Sequence, residues 1–185
     1  AEPLGKGFGD AEFRALWFSW WCLIQEERLG KLDDIKNFVQ LTPLVGTAGQ
    51  PGREQFADIA AAGYRTVVNL AMPDSDNAIA EEGNLVTSQG MRYIHLPIDF
   101  AAPTAADART FIGIMGAFED SKVFVHCALN LRVSAFMYLY LRHSKGFADA
   151  DARSPLMAKW EPRMDDVGKE LLSLEREEIL PPAHR

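Results

Sequence analysis

The sequence predicts an α/β protein with a central, parallel-rich sheet of four to five strands flanked by helices. Two observations carry that expectation. Short β-rich runs alternate with helical patterns along the chain. In addition, 185 residues with 48% hydrophobic side chains suffice for one compact core. Strands are expected at 39–41 (V-Q-L), 44–47 (L-V-G-T), 66–70 (T-V-V-N-L), 92–96 (R-Y-I-H-L) and 122–126 (K-V-F-V-H), each short and rich in β-branched or aromatic residues. Helices are expected at 53–62, 77–89, 105–118 and 133–143. Gly63 suits the left-handed cap that ends the first of these before Thr66. Two more helices, 148–159 and 163–178, come after the last strand. The second is amphipathic through Met164, Val167, Leu171, Leu172 and Leu174, and both read as packing elements. Residues 1–30 stand apart as an extension carrying a Trp-rich helix, and 31–185 form the main domain. No internal repeat or low-complexity tract interrupts this order.

Ligands of such a sheet bind beyond the carboxyl ends of its strands. There the stretch V-F-V-H-C-A-L-N-L-R-V-S-A-F, residues 123–136, carries the chemistry. A strand delivers His126 and Cys127 into a tight turn, and a helix begins just beyond. The unpaired N–H groups at such a junction favour negative charge on a thiol. The amides of Ala128, Leu129, Asn130, Leu131, Arg132 and Val133 can form a nest around a tetrahedral oxyanion. Arg132 adds a planar fork for two of its oxygens. Cys127 would then attack phosphorus and carry a phosphocysteine that water hydrolyses. A lone cysteine is more often a small core hydrophobe, but the His-Cys…Arg-x-Ser setting at a strand-to-helix switch favours the nucleophile.

The segment resembles the signature loop of the cysteine-dependent protein tyrosine and dual-specificity phosphatases, H-C-x-x-G-x-x-R-S/T. Three further runs are similar to a bacterial branch described as phosphatase-like or beta-lactamase-hydrolase-like: T-A-G-Q-P at 47–51, A-A-A-G-Y-R-T-V-V-N-L at 60–70 and Y-I-H-L-P-I-D-F at 93–100. The resemblance spans about residues 33–145 and implies a dual-specificity-phosphatase-like fold. The family loop has five residues between Cys and Arg, whereas Ala128, Leu129, Asn130 and Leu131 make only four here. With Ser134 in register, Asn130 takes the Gly position and Arg132 arrives one residue early. That is a rotation of about 100° in a helix, so Arg132 must bend back. With Arg132 in register, the loop loses an amide and Ser134 slips.

The resemblance also implies an Asp on a loop after an earlier strand, which protonates the leaving group. Asp99, in L-P-I-D-F-A-A-P-T, matches that position. A turn or helix-capping Asp is its structural alternative. Asp74 and Asp76 are runners-up, better read as turn residues. Ser134 is expected to hydrogen-bond the thiolate, His126 to order the loop and His95 to be a strand residue.

A net charge of −7 argues against nucleic acid, and a loop whose one basic residue is Arg132 argues against multiply phosphorylated lipids. A phosphorylated protein or small phosphomonoester is the expected partner. Four scattered His residues show no metal-ligand spacing, and no cofactor is implied. Two cysteines make no disulfide framework, and a reactive thiol points to a reducing, cytoplasmic setting. In the extension, Ala15–Ile24 is apolar and includes Trp17, Trp20 and Trp21. It falls short of the ~20 residues that span a bilayer, and no basic region with a cleavage site marks a signal peptide. Packing on the main domain is the expectation, with a homodimer contact through this helix or an interfacial membrane helix as the alternatives; with Arg14 the single basic residue over 13–24, membrane attraction is weak. Three functions are weighed: a cysteine-dependent phosphomonoesterase, a phosphate-binding pseudophosphatase with a displaced Arg132, and a rhodanese-like sulfurtransferase.

Overall fold

The computed structural model describes residues 31–180. Five strands, β1 Val39–Thr42, β2 Val45–Ala48, β3 Thr66–Asn69, β4 Arg92–His95 and β5 Val123–His126, make one sheet in the order β1-β2-β5-β3-β4. β1 runs antiparallel to β2, and the remaining pairs are parallel. The predicted α/β class and parallel-rich sheet therefore stand. Central β5 is buried along its whole length, as a parallel strand covered on both faces must be. Its register sets Ala48, His126, Asn69 and His95 in one row. The residues just past each of these strand ends open onto a common edge.

The helices are α1 Gln55–Ala61, α2 Glu82–Ser88, α3 Ala105–Ala117, α4 Leu131–Leu139, α5 Asp149–Ala152, α6 Pro155–Trp160, α7 Asp166–Leu172 and α8 Arg176–Ile179. On one face, α1 and α2 pack Phe56, Ile59 and Val86 against Val67 and Phe124. On the other, α3, α4 and the C-terminal helices pack Phe111, Phe136, Met157 and Ile179 against Val68 and Val125. Side chains alternate along a strand, so Phe124 and His126 face α1 while Val125 and Cys127 face α4. Phe111 meets Phe136 edge-on at 5.7 Å, and Tyr64 meets Phe124 at 5.4 Å.

Several expected helices differ in extent, each for a local reason. The helix expected over 77–89 begins only at Glu82, because Glu81 holds a left-handed φ of 62°. A right-handed helix cannot run through such a residue. Residues 72–81 instead turn twice, with Ser75 N donating to Met72 O and Ala78 N to Ser75 O. The helix expected at 133–143 starts at Leu131, then widens into a π-helical turn over Tyr140–Ser144. The 148–159 prediction splits where Arg153 is extended, with Ser154 capping a new helix and Pro155 opening it. The 163–178 prediction splits likewise, with Asp165 capping α7 and Glu175 capping α8. Gly63 does take the left-handed conformation expected after α1, with φ 92°. Asp99 does not cap α3. Thr104 does, in a reciprocal box with Asp107. The Trp-rich helix expected within 1–30, and any dimer contact through it, lie outside the described residues.

Candidate active site

β5 ends by carrying Cys127 into the crevice. The thiol residue is 2% exposed, and its amide donates to Ala48 O at 3.3 Å. The chain then turns through Ala128–Asn130 into α4. Asn130 makes that turn with φ 65°, a conformation Asn adopts more readily than other residues with a Cβ. Its side chain donates to Asn37 O at 2.7 Å and to Thr47 Oγ1 at 3.2 Å. Asn37, itself left-handed, donates back to Leu129 O at 2.9 Å. Ala128 O accepts from Asn77 Nδ2 at 3.0 Å and from Gln50 N at 3.2 Å. Gly49 runs alongside, bridged to Leu129. A Cβ there would sit 3.0 Å from Lys36 O and 3.1 Å from Ala128 O, which leaves no room for a side chain.

These ties have a consequence for the amides. In a trans peptide the carbonyl and the next N–H point opposite ways. With the carbonyls of Ala128 and Leu129 tied to Asn77, Gln50 and Asn37, the N–H groups of Leu129 and Asn130 point the opposite way. Among the described residues, the amides of Leu129, Leu131, Arg132 and Val133 donate to no protein acceptor. The last three form the first turn of α4, where N–H groups lack intrahelical partners. Free N–H groups at a helix N-terminus are suited to an anion.

Asn130 takes the left-handed turn just before α4, and the Arg132 side chain reaches back toward β3. Its Nη1 donates to Leu70 O, at the end of β3, at 2.6 Å. Its guanidinium lies 5.6 Å from the Phe100 ring centre, and Phe100 in turn meets Trp160 edge-on at 6.4 Å. Nε of Arg132 is buried without a partner. Burial pulls its pKa down, while the charges of Cys127 and Asp99 push it back up. It stays a cation, and both groups lie within its electrostatic reach.

Asp99 is exposed on the loop after β4, and its Oδ1 accepts from Ala101 N at 2.9 Å. Asp74 and Asp76 are exposed on the 72–81 turns. Ser134 donates to Leu131 O at 2.8 Å and accepts from Trp160 Nε1 at 2.9 Å. Val133 is fully buried. His95 shares a 2.8 Å bond with Ala71 O. His126 is fully buried and points away from Cys127, with Nε2 3.1 Å from Glu82 Oε1.

Glu82 was not singled out by the sequence. It opens α2, is only 4% exposed, and also accepts from Asn69 Nδ2 at 3.0 Å and from Gln50 Nε2 at 2.5 Å. Burial pulls its carboxyl pKa upward, yet the hydrogen bonds and charge of its partners win and hold it below the usual carboxylate value. Tyr93 beside it is pushed up to about 12, chiefly by burial. The supporting residues Asn37, Gln50 and Asn77 were equally invisible. They lie 93, 78 and 51 positions from the loop atoms they bind, and no local pattern spans such gaps. A cavity of about 480 Å3 opens past the ends of β3 and β4, lined by Asn69, Met72, Asp74, Glu82, Tyr93 and His95 among others.

A cysteine and an amide nest at a strand-to-helix turn, with an arginine on the helix beyond it, place the chain in the cysteine-dependent protein tyrosine and dual-specificity phosphatase superfamily. Within it, the chain belongs to the family described as DSP-PTPase phosphatase fused to NAD+ kinase, whose model matches residues 30–162. A solved protein of Shewanella putrefaciens CN-32, assigned to the DUF442 phosphatases, is 32% identical with a TM-score of 0.71. That match covers 78% of this chain and 94% of that one. Two more distant structures share the fold. Tk-PTP in its active form is 22% identical with a TM-score of 0.61, over 76% of this chain and 96% of its own. P. aeruginosa TpbA, solved with phosphotyrosine, is 16% identical with a TM-score of 0.61, over 77% and 87%. No curated protein matches.

Proposed function

We propose that this chain hydrolyses phosphomonoesters through a phosphocysteine on Cys127. One observation carries the reading. Arg132 Nε is buried without a partner, and the amides of Leu129, Leu131, Arg132 and Val133 lack protein acceptors, all within six positions of a buried thiol. Donors left without protein acceptors suit an anion with several oxygens.

In the proposed cycle, the loop amides and Arg132 bind three phosphate oxygens and stabilise the charge that spreads over them. Cys127 Sγ attacks phosphorus as the ester bond breaks, and Asp99 delivers its proton to the departing oxygen. Asp99, now ionised, takes a proton from water as that water attacks the phosphocysteine. Phosphate leaves, and the thiolate returns. Ser134 serves this second step by rotating its hydroxyl from Leu131 O toward the sulfur, while Trp160 holds the oxygen in place. The alcohol part of a small ester, or of a phosphorylated protein side chain, would sit on the solvent side of the loop. A reducing compartment keeps the thiol available.

A second reading rests on Arg132. Its bond to Leu70 O ties one end of the fork to the protein, so the site binds oxyanions yet turns over slowly. Hydrolysis of an activated aryl phosphate between pH 5 and 8 separates the two. Turnover by wild type that vanishes in Cys127→Ser, with tungstate affinity retained, establishes the enzyme. Tungstate binding with no turnover in either protein selects the binding module, and absence of both removes the site.

A further inference from the structure

Glu82 is a buried carboxylate that the proposed reaction does not use. Its partners, however, come from three segments that build the loop. Gln50 reaches it with Nε2, while the Gln50 backbone amide holds Ala128 O. Asn69 reaches it with Nδ2, while Asn69 Oδ1 accepts from Ala71 N at 2.7 Å. The intervening Leu70 O anchors Arg132. His126 reaches it with Nε2 and directly precedes Cys127. β2, β3 and β5 thus end on a single acceptor.

We propose that Glu82 is a positioning residue for the phosphate loop, fixing the nucleophile, one carbonyl tie and the arginine anchor relative to one another through His126, Gln50 and Asn69. The chemistry suits a carboxylate and little else. Three N–H donors converge on two oxygens, and an ionised carboxyl offers about four lone pairs and no competing proton. Its negative charge also strengthens each bond. Oε1 serves His126 and Asn69 together, and Oε2 serves Gln50 alone. Glutamine at this position retains the acceptor for the first two and loses only the one facing Gln50. Gln50 Oε1 has no partner at present, so its amide can turn to accept from the new NH2 group. Alanine removes all three contacts.

This inference rests on the oxyanion site proposed above, and its test reads binding apart from turnover. Tungstate affinity by calorimetry, with kcat and KM for an aryl phosphate, would be measured for Glu82→Ala, Glu82→Gln and Gln50→Ala. Phe111→Leu, in the core against α4, serves as a control for general destabilisation. A positioning role predicts that Glu82→Ala loses roughly 10- to 100-fold in tungstate affinity and in kcat/KM, the scale expected of a misplaced site. Glu82→Gln should recover most of that loss. The control should stay within about twofold whatever its Tm. Folded Glu82→Ala that keeps wild-type affinity and turnover overturns the proposal. Should Glu82→Ala not fold, unchanged tungstate affinity in Gln50→Ala overturns it equally. A wild type that binds tungstate without turnover defeats the phosphatase reading alone, and the affinity series still decides the role of Glu82.

Discussion

Arg132 uses one nitrogen on Leu70 O and sets its guanidinium over the Phe100 ring, which leaves Nε and Nη2 as its free edge. A lysine has no second nitrogen to offer and no planar face for Phe100. Arg132→Lys should therefore weaken tungstate binding at least ~10-fold, the usual cost of losing a charge-assisted bond, as read by calorimetry. Asn130 makes a different case. Its left-handed backbone costs about 1 kcal/mol, while its side chain makes two bonds to the β1 entrance and β2. Asn130→Ala keeps the strain and loses both bonds, so urea unfolding should show a loss of about 2 kcal/mol or more. Asn130→Gly loses the bonds but relieves the strain and should fall between. Asp99→Asn should slow esters with poor leaving groups far more than activated aryl phosphates. Equal loss on both would make Asp99 a turn residue only. At this scale the sequence was legible where chemistry is local: His126, Cys127, Asn130 and Arg132 lie within seven positions of one another. Glu82 was not legible, because its meaning comes from three partners in other segments, Gln50, Asn69 and His126.

At the level of elements, the crevice is assembled from strand ends, and each element contributes by where it stops. β5 stops at His126, β3 at Asn69 and β4 at His95, and the residues immediately beyond each stop build the site. All five strands were readable because their apolar, β-branched runs are bounded by turn residues. The helices were less so, since amphipathic periodicity continues through a break that one backbone angle imposes. Glu81 and Arg153 carry no breaker signature, yet their conformations end the expected helices. Pro155 was visible but fits equally well in the first turn of a helix. The α3 capping box fixes the point at which the loop carrying Asp99 rejoins the core. Thr104→Ala should cost about 1 kcal/mol in chemical denaturation, with kcat/KM unchanged for an activated substrate.

Across the whole molecule, two buried groups set how the fold answers to acid. His143 is held below its ordinary pKa, first by burial and then by Arg142. The unfolded chain accepts a proton there near pH 6.5, and the folded one resists it. The stability this provides is complete above that value and drains as pH falls below it. Glu82 behaves alike at lower pH. Its folded pKa is depressed, so its contribution is complete above about 4.3 and is lost as pH falls through the folded value. Urea midpoints at pH 7, 5.5 and 4 should decline in two stages. His143→Asn should flatten the first and Glu82→Gln the second, and parallel curves for all three proteins would place the acid sensitivity elsewhere. Among the described residues no helix is long and apolar enough to cross a membrane.

The tied carbonyls of Ala128 and Leu129 also set a clock that deuterium can read. An amide without an acceptor exchanges its hydrogen with solvent quickly, whereas one bonded in a core strand waits for an opening event. In the free protein, Leu129, Leu131, Arg132 and Val133 should take up label early, while the Cys127 amide, bonded to Ala48, lags behind. Tungstate should slow the four and leave Cys127 unchanged. The loop would then write its own footprint of the anion, residue by residue, with no substrate needed.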